Sequence, residues 1–255
     1  MRRMNKTKFL AIAVPITLLI TLVINGFAAS GALNGIDTGS ISDLYPVLFT
    51  PAGYVFSIWS LIYVSLAGFC LYQLRPSALS DVKLNRLRVL TIGNFLLNSA
   101  WILAWQYQYL VVSLGIMIGL LLTLIAIYQE ATKLAVSKKY SMLWYKFPFS
   151  LYLGWISVAT IANVSVVLYD FNWNQFGMSA LFWTIVMICV ATVLALLFQW
   201  RERDVIVSGV VIWAIIGITQ KHPEIIAIRN VVGLSVLVLI LSALARVSYR
   251  KRLDR

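Results

Sequence analysis

TPAGYVFSIWSLIY, residues 50–63, decides the fold. A proline and a glycine lead into a long apolar segment, and Phe56, Trp59 and Tyr63 follow at spacings of three and four. On a helix that spacing puts the three rings on one face. Two further stretches repeat the theme of aromatic plus amide. Asn94, Asn98, Trp101 and Trp105 form one stripe, and Tyr152, Trp155, Ala159 and Asn163 form another. Amides inside a bilayer must find hydrogen-bond partners, so these stripes should face protein or a cavity, not lipid. Taken singly, each stripe is better explained by packing: interhelical hydrogen bonds, with an aromatic belt residue at the helix end.

The rest of the chain sets these faces in a membrane. Of 255 residues, 61% are hydrophobic and 12% charged, half the roughly 25% charged content of a soluble domain. The expected fold is all-α, a polytopic membrane bundle of about eight transmembrane helices. They run near 9–29, 53–74, 89–106, 109–128, 148–169, 178–199, 205–220 and 225–245. A net charge of +12 raises nucleic-acid binding as a function. The distribution argues against it, because the basic residues sit between apolar segments and set topology. With the N-terminus inside, every basic residue except Lys221 and Arg229 falls on the cytoplasmic side. Arg75, Lys83, Arg86, Arg88, Lys138 and Lys139 are among them. Both termini are therefore expected in the cytoplasm, with a plasma membrane as the location and the basic tail on anionic lipid.

Smaller features have plain readings. The MRRMNKTK start with small residues near Ala28 and Ala29 fits a signal peptide, but 9–29 is long for one, and an uncleaved helix is expected. Cys70 and Cys189 lie inside apolar segments, so they are expected to be buried hydrophobes, and no metal-binding spacing exists. The 30–52 loop carries Asp37 and Asp43 and no basic residue. It reads equally as a lid or as an exposed connector. His222 reads as a solvated turn residue in preference to a haem ligand, and Arg229 as a snorkelling side chain near Glu224. Gly115 and Gly119 serve internal packing or a homodimer seam. Val247, Tyr249 and Lys251 fit a weak sterol-contact pattern.

Together, the three stretches resemble the TspO/MBR family, the tryptophan-rich sensory or translocator proteins. Pro46, Pro51, Phe56, Trp59 and Tyr63 stand at that family's spacings on the approach to its second helix. Leu97, Asn98 and Trp101 match its Leu-Asn-x-x-Trp element. Tyr152, Leu153, Trp155 and Asn163 match a Tyr-Leu-x-Trp element with an asparagine eight residues on. The resemblance implies a five-helix core over 1–170 with a ligand pocket under the first outer loop. It implies porphyrins, haem-like tetrapyrroles or sterol-like lipids as ligands, with no required cofactor. The pocket residues would be Phe56, Trp59, Tyr63, Asn98, Trp101, Trp155, Ala159 and Asn163, with Pro46 and Pro51 shaping the lid. Thr50 departs from the pattern, as do Tyr45, Val47, Leu48 and Leu151, and the loop lacks a cation for a propionate. Residues 171–255 form a three-helix extension outside the motifs.

Two other function classes were weighed. A small-molecule secondary transporter using all eight helices is the alternative, although the helix centres lack the ionisable groups that ion coupling needs. An enzyme is not expected, since no nucleophile sits beside a base and no carboxylate pair faces inward.

Overall fold

Segments this apolar can satisfy their backbone inside a bilayer as helices or as closed barrels. Runs of about 20 residues without period-two alternation select the helix. The computed structural model describes residues 2–136 and 141–253, and every regular element among them is helical. Lys138, Lys139 and Arg255 lie outside the described residues, as do the side chains of Val247, Tyr249 and Lys251.

Helix α1 (Arg2–Ala29) leads through the short α2 (Thr38–Asp43) and a 3₁₀ turn, Gly53–Ser57, into α3 (Ile58–Gln73). A single turn, α4 (Pro76–Leu79), precedes α5 (Asn85–Gln106) and α6 (Leu110–Val136). Another turn, α7 (Met142–Tyr145), precedes α8 (Phe147–Asp170), and the chain closes with α9 (Ala180–Arg201), α10 (Ile206–Lys221) and α11 (Ile226–Leu253). Among the described residues, seven segments are long and apolar enough to cross a membrane. The eighth expected crossing, α10, is apolar but has 16 residues. It spans roughly 24 Å against a hydrocarbon core of about 30 Å.

The third long helix starts earlier than its charges suggested. Arg88, read as a loop cation, lies inside α5 and is fully buried. Its guanidinium donates to Gln73 Oε1 at 2.7 Å and to the Ala78 carbonyl at 2.8 Å. Gln73 in turn donates to the Ala11 carbonyl at 2.8 Å. A buried cation persists only when its donors are satisfied, and here carbonyls of α1, α3 and α4 do so. Cys70 is buried as expected, whereas Cys189 is exposed on α9. A Cβ on Gly119 would meet Leu97 of α5 at 3.7 Å, whereas a Cβ on Gly115 would meet no other element within 4 Å among the described residues.

Helix α5 packs between α1 and α6, and α8 packs against α6, α3 and α10. Helices α9 and α11 pair with each other, and α10 carries most of their contact with α8. A Cβ on Gly154 of α8 would meet Val210 Cβ at 3.1 Å and Val207 Cα at 3.3 Å, so the two helices approach closely. One end of α10 is pinned by Asp204. Its carboxylate accepts from Ser150 Oγ at 2.5 Å and from Tyr128 OH at 3.0 Å. The Lys146 ammonium lies 3.6 Å away. The Lys146 and Asp204 side chains are 7% and 3% exposed.

Removing one partner of a buried ion pair strands the other charge. Asp204→Ala is therefore expected to cost about 3 kcal/mol, read as a lower midpoint in denaturant-titrated micelles. The Arg86–Glu130 contact has an arginine side chain 72% exposed. Arg86→Ala should cost under about 1 kcal/mol in the same assay.

Candidate functional site: an aromatic chamber under the loop

The three aromatic stripes meet. Trp59 of α3 is the hub: it stacks on Tyr63 at a centroid distance of 5.3 Å. It meets Tyr152 edge-on at 5.7 Å, Trp155 edge-on at 6.2 Å and Trp101 tilted at 6.3 Å. Trp101 stacks on Trp105 at 6.1 Å, and Phe56 meets Trp155 edge-on at 5.8 Å. Offset and edge-to-face pairs of this kind each add about 0.5–1.5 kcal/mol beyond burial. The rings enclose a chamber of about 40 Å³, roofed by Ser42, Thr50 and Pro51 and floored on the α8 side by Ala159, Ala162 and Asn163.

Of the expected pocket residues, Phe56, Trp59, Trp101, Trp155, Ala159 and Asn163 line this chamber, and so does Pro51. Asn98 lies deeper and is fully buried. Its carbonyl oxygen accepts from Asn25 at 2.9 Å and from Tyr63 OH at 3.4 Å, and its amide donates to Tyr152 OH at 2.6 Å. It ties α1, α3, α5 and α8 together beneath the aromatic layer. Tyr63 borders a separate groove of about 390 Å³ that also touches Asn25, Asp37 and the far faces of Phe56 and Trp59. Pro46 borders a third space, a groove of about 310 Å³ walled by Trp173 and Trp183. Trp105, Ser42, Thr50, Val158, Ala162 and Val166 line the chamber without having been singled out as pocket residues. Trp105 belongs to the α5 stripe, and Val158, Ala162 and Val166 share the Trp155 face by helical spacing. The two roof residues carry no such signal.

Polar atoms on the chamber residues are left unpaired. Trp101 Nε1, Trp155 Nε1 and Asn163 Oδ1 are buried with no hydrogen-bond partner among the described residues. Asn163 donates one amide hydrogen to Ser113 Oγ at 3.2 Å. Each unpaired buried group costs about 1–3 kcal/mol. Two donors and one acceptor on one aromatic cavity suit a ligand with polar atoms on an apolar body.

The 30–57 connection is a cover. Ile41 and Phe49 are buried within it. Asp37 caps α2, accepting from the Gly39 and Ser40 amides at 2.9 and 3.0 Å and from the Ser40 hydroxyl. Those hydrogen bonds hold its carboxyl below the ordinary aspartate value. Gln106, at the end of α5, donates to Asn34 Oδ1 at 2.7 Å and to the Ile36 carbonyl. The Trp105 indole reaches the Thr38 carbonyl at 3.4 Å.

The sequence profile of TSPO-like proteins matches residues 11–245. The chain belongs to the TSPO-like protein family. The match runs through α9, α10 and most of α11, beyond the motifs that first suggested the resemblance. No curated protein and no solved structure gives a significant match.

In this TSPO-like protein, α10 grips the cover. The Ala52 amide donates to the Gly217 carbonyl at 3.0 Å, and the Trp213 indole donates to the Val55 carbonyl at 3.1 Å. Trp213 also meets Tyr54 edge-on at 5.3 Å. Lys221 donates to Thr50 Oγ1 at 3.0 Å and pairs with Asp43 at 2.5 Å. His222 follows at the helix end. Partial burial and the neighbouring ammonium push its pKa below the ordinary histidine value. The chamber lining holds neither histidine nor cysteine. Its donor set suits stacking on a flat ring, and it offers no imidazole or thiolate to a haem iron.

Glycine is required where α10 meets the cover. A Cβ on Gly217 would fall 2.1 Å from Val55 Cγ2 and 3.1 Å from Pro51 Cβ, whereas a Cβ on Gly209 of the same helix would meet no other group within 4 Å among the described residues. Gly217→Ala is expected to destabilise by about 1–3 kcal/mol through overpacking. Gly209→Ala is expected to stabilise by about 0.5–1 kcal/mol through helix propensity. Thermal denaturation in detergent should show shifts of opposite sign.

Proposed function

We propose that this membrane protein binds a flat, largely apolar aromatic molecule in the chamber, a porphyrin or related tetrapyrrole being the leading class. Sensing or translocating that ligand at the plasma membrane would be its role, with the cover on the outer face and both termini in the cytoplasm. The observation that carries this reading is the convergence of Phe56, Trp59, Trp101, Trp105 and Trp155 on one chamber that also holds three unpaired polar atoms. Aromatic walls favour a planar apolar body, and a few polar groups fix its orientation.

The chamber holds about 40 Å³, while sites for drug-sized ligands hold about 300–1,000 Å³. Binding therefore requires the cover to lift or the rings to rotate. The three helices that carry the walls are joined below by Asn98, so the roof, Ser42 to Pro51, is the part that would move, and lifting it breaks the Lys221 contacts to Asp43 and Thr50. A conformational step of this kind lowers the association rate.

The test is a tryptophan-quenching titration with protoporphyrin, run on the wild type and on Ala159→Leu, which fills the chamber and leaves every ring in place. Saturable quenching in the wild type, weakened about tenfold in the variant, is the expected result; that factor corresponds to about 1.4 kcal/mol. Linear quenching of equal slope in both proteins would mean partitioning into the micelle and would overturn the reading.

A further inference from the structure

We propose that Lys221 is the anion-recognition point of the chamber: its ammonium takes a carboxylate on the rim of an otherwise apolar ligand. This rests on the ligand-binding reading above and narrows it to acidic ligands.

The argument begins with charge. Residues 30–57 contain no lysine or arginine, so the cover supplies no cation of its own. Lys221 arrives from α10, at the far end of the chain, and lands on the roof. Its ammonium donates to Thr50, which lines the chamber, and to Asp43, which follows the lining residue Ser42. An ammonium has three donors, and these two contacts use two of them. The Thr50 hydroxyl donates to the Val47 carbonyl at 2.7 Å, so its lone pairs are what Lys221 meets.

The second step is access. The Lys221 side chain is 22% exposed and that of Asp43 52% exposed. The pair is therefore half in water, where exchanging one carboxylate for another costs little. Asp37 is not a competitor, because its carboxylate is committed to the α2 cap. His222 adds little positive charge, since its pKa is depressed.

The third step couples charge to opening. The roof segment that must move for a large ligand to enter is the segment Lys221 holds. Lifting it separates the ammonium from Thr50 and Asp43, and a ligand carboxylate would replace the lost acceptor. A neutral ligand of the same shape would leave the ammonium without that compensation. Charge-assisted hydrogen bonds are about twice as strong as neutral ones, so the discrimination should be measurable.

The experiment compares protoporphyrin, a dicarboxylic acid, with its neutral dimethyl ester, by tryptophan quenching of the wild type, Lys221→Met and Asp43→Asn. Circular dichroism checks that all three proteins keep their helix content. Lys221→Met should weaken the acid about tenfold and change the ester less than about twofold. Asp43→Asn removes the competing carboxylate and should tighten the acid several-fold. Both substitutions break the same ion pair, so a simple latch would move both variants in one direction for both ligands. That outcome would overturn the proposal, as would a Lys221→Met protein with unchanged affinity for the acid. If neither ligand saturates the wild type, the chamber reading itself is overturned, and this inference with it.

Discussion

The hydrogen bond from the Ala52 amide to the Gly217 carbonyl marks where α10 and the segment before α3 come together, with no side chain on the α10 residue. Because Gly217 has no Cβ, Val55 and Pro51 can lie against the α10 backbone. That approach fixes the 3₁₀ turn, which carries Phe56, and the start of α3, which carries Trp59, into the chamber. Gly154 does the same on the other side, where α8 lies close to Val207 and Val210 of α10. Helix α10 is thus wedged between the roof of the chamber and the helix that bears Trp155. It is held by Asp204 at one end and by Lys221 at the other.

Inside so apolar a chain, the fate of each polar group separates scaffold from site. Asn98, Arg88 and Asp204 are buried and richly bonded, and each joins several helices. These knots are stable because breaking any of them leaves several partners unsatisfied. Trp101, Trp155 and Asn163 are buried with atoms left over. Unpaired buried atoms also occur off the chamber, on Asn94, Thr132 and Gln199 among others, but three of them gather on its walls. Unpaired groups cost stability, and a ligand that meets them recovers it.

Helix positions were legible in the sequence because apolar run length and period are local properties. The faces were legible too: spacing put Phe56 with Trp59, Asn98 with Trp101, and Trp155 with Ala159 and Asn163, and the family resemblance then named them as a pocket. Depth was not legible. Asn98 shares a face with Trp101 but sits one turn lower, and a helical repeat does not say where a cavity ends. Arg88 was read as a loop residue because charge is the best sequence sign of a loop. Its burial depends on carbonyls of α4 that no pattern announces. The grip of α10 on the cover was the least visible feature. Lys221 meets Asp43 and Thr50 across more than half the chain, and nothing near Lys221 in sequence points there.

The account stands or falls on which space the ligand occupies. The groove beside Pro46, Trp173 and Trp183 is more open and holds about 310 Å³, so it is the natural competitor. Photo-cross-linking with a diazirine-bearing porphyrin, followed by peptide mapping, separates the two. The account predicts adducts at Trp101, Trp155 or Ala159, competed away by unmodified protoporphyrin. Competed adducts at Trp173 or Trp183, with none on the chamber walls, would contradict it.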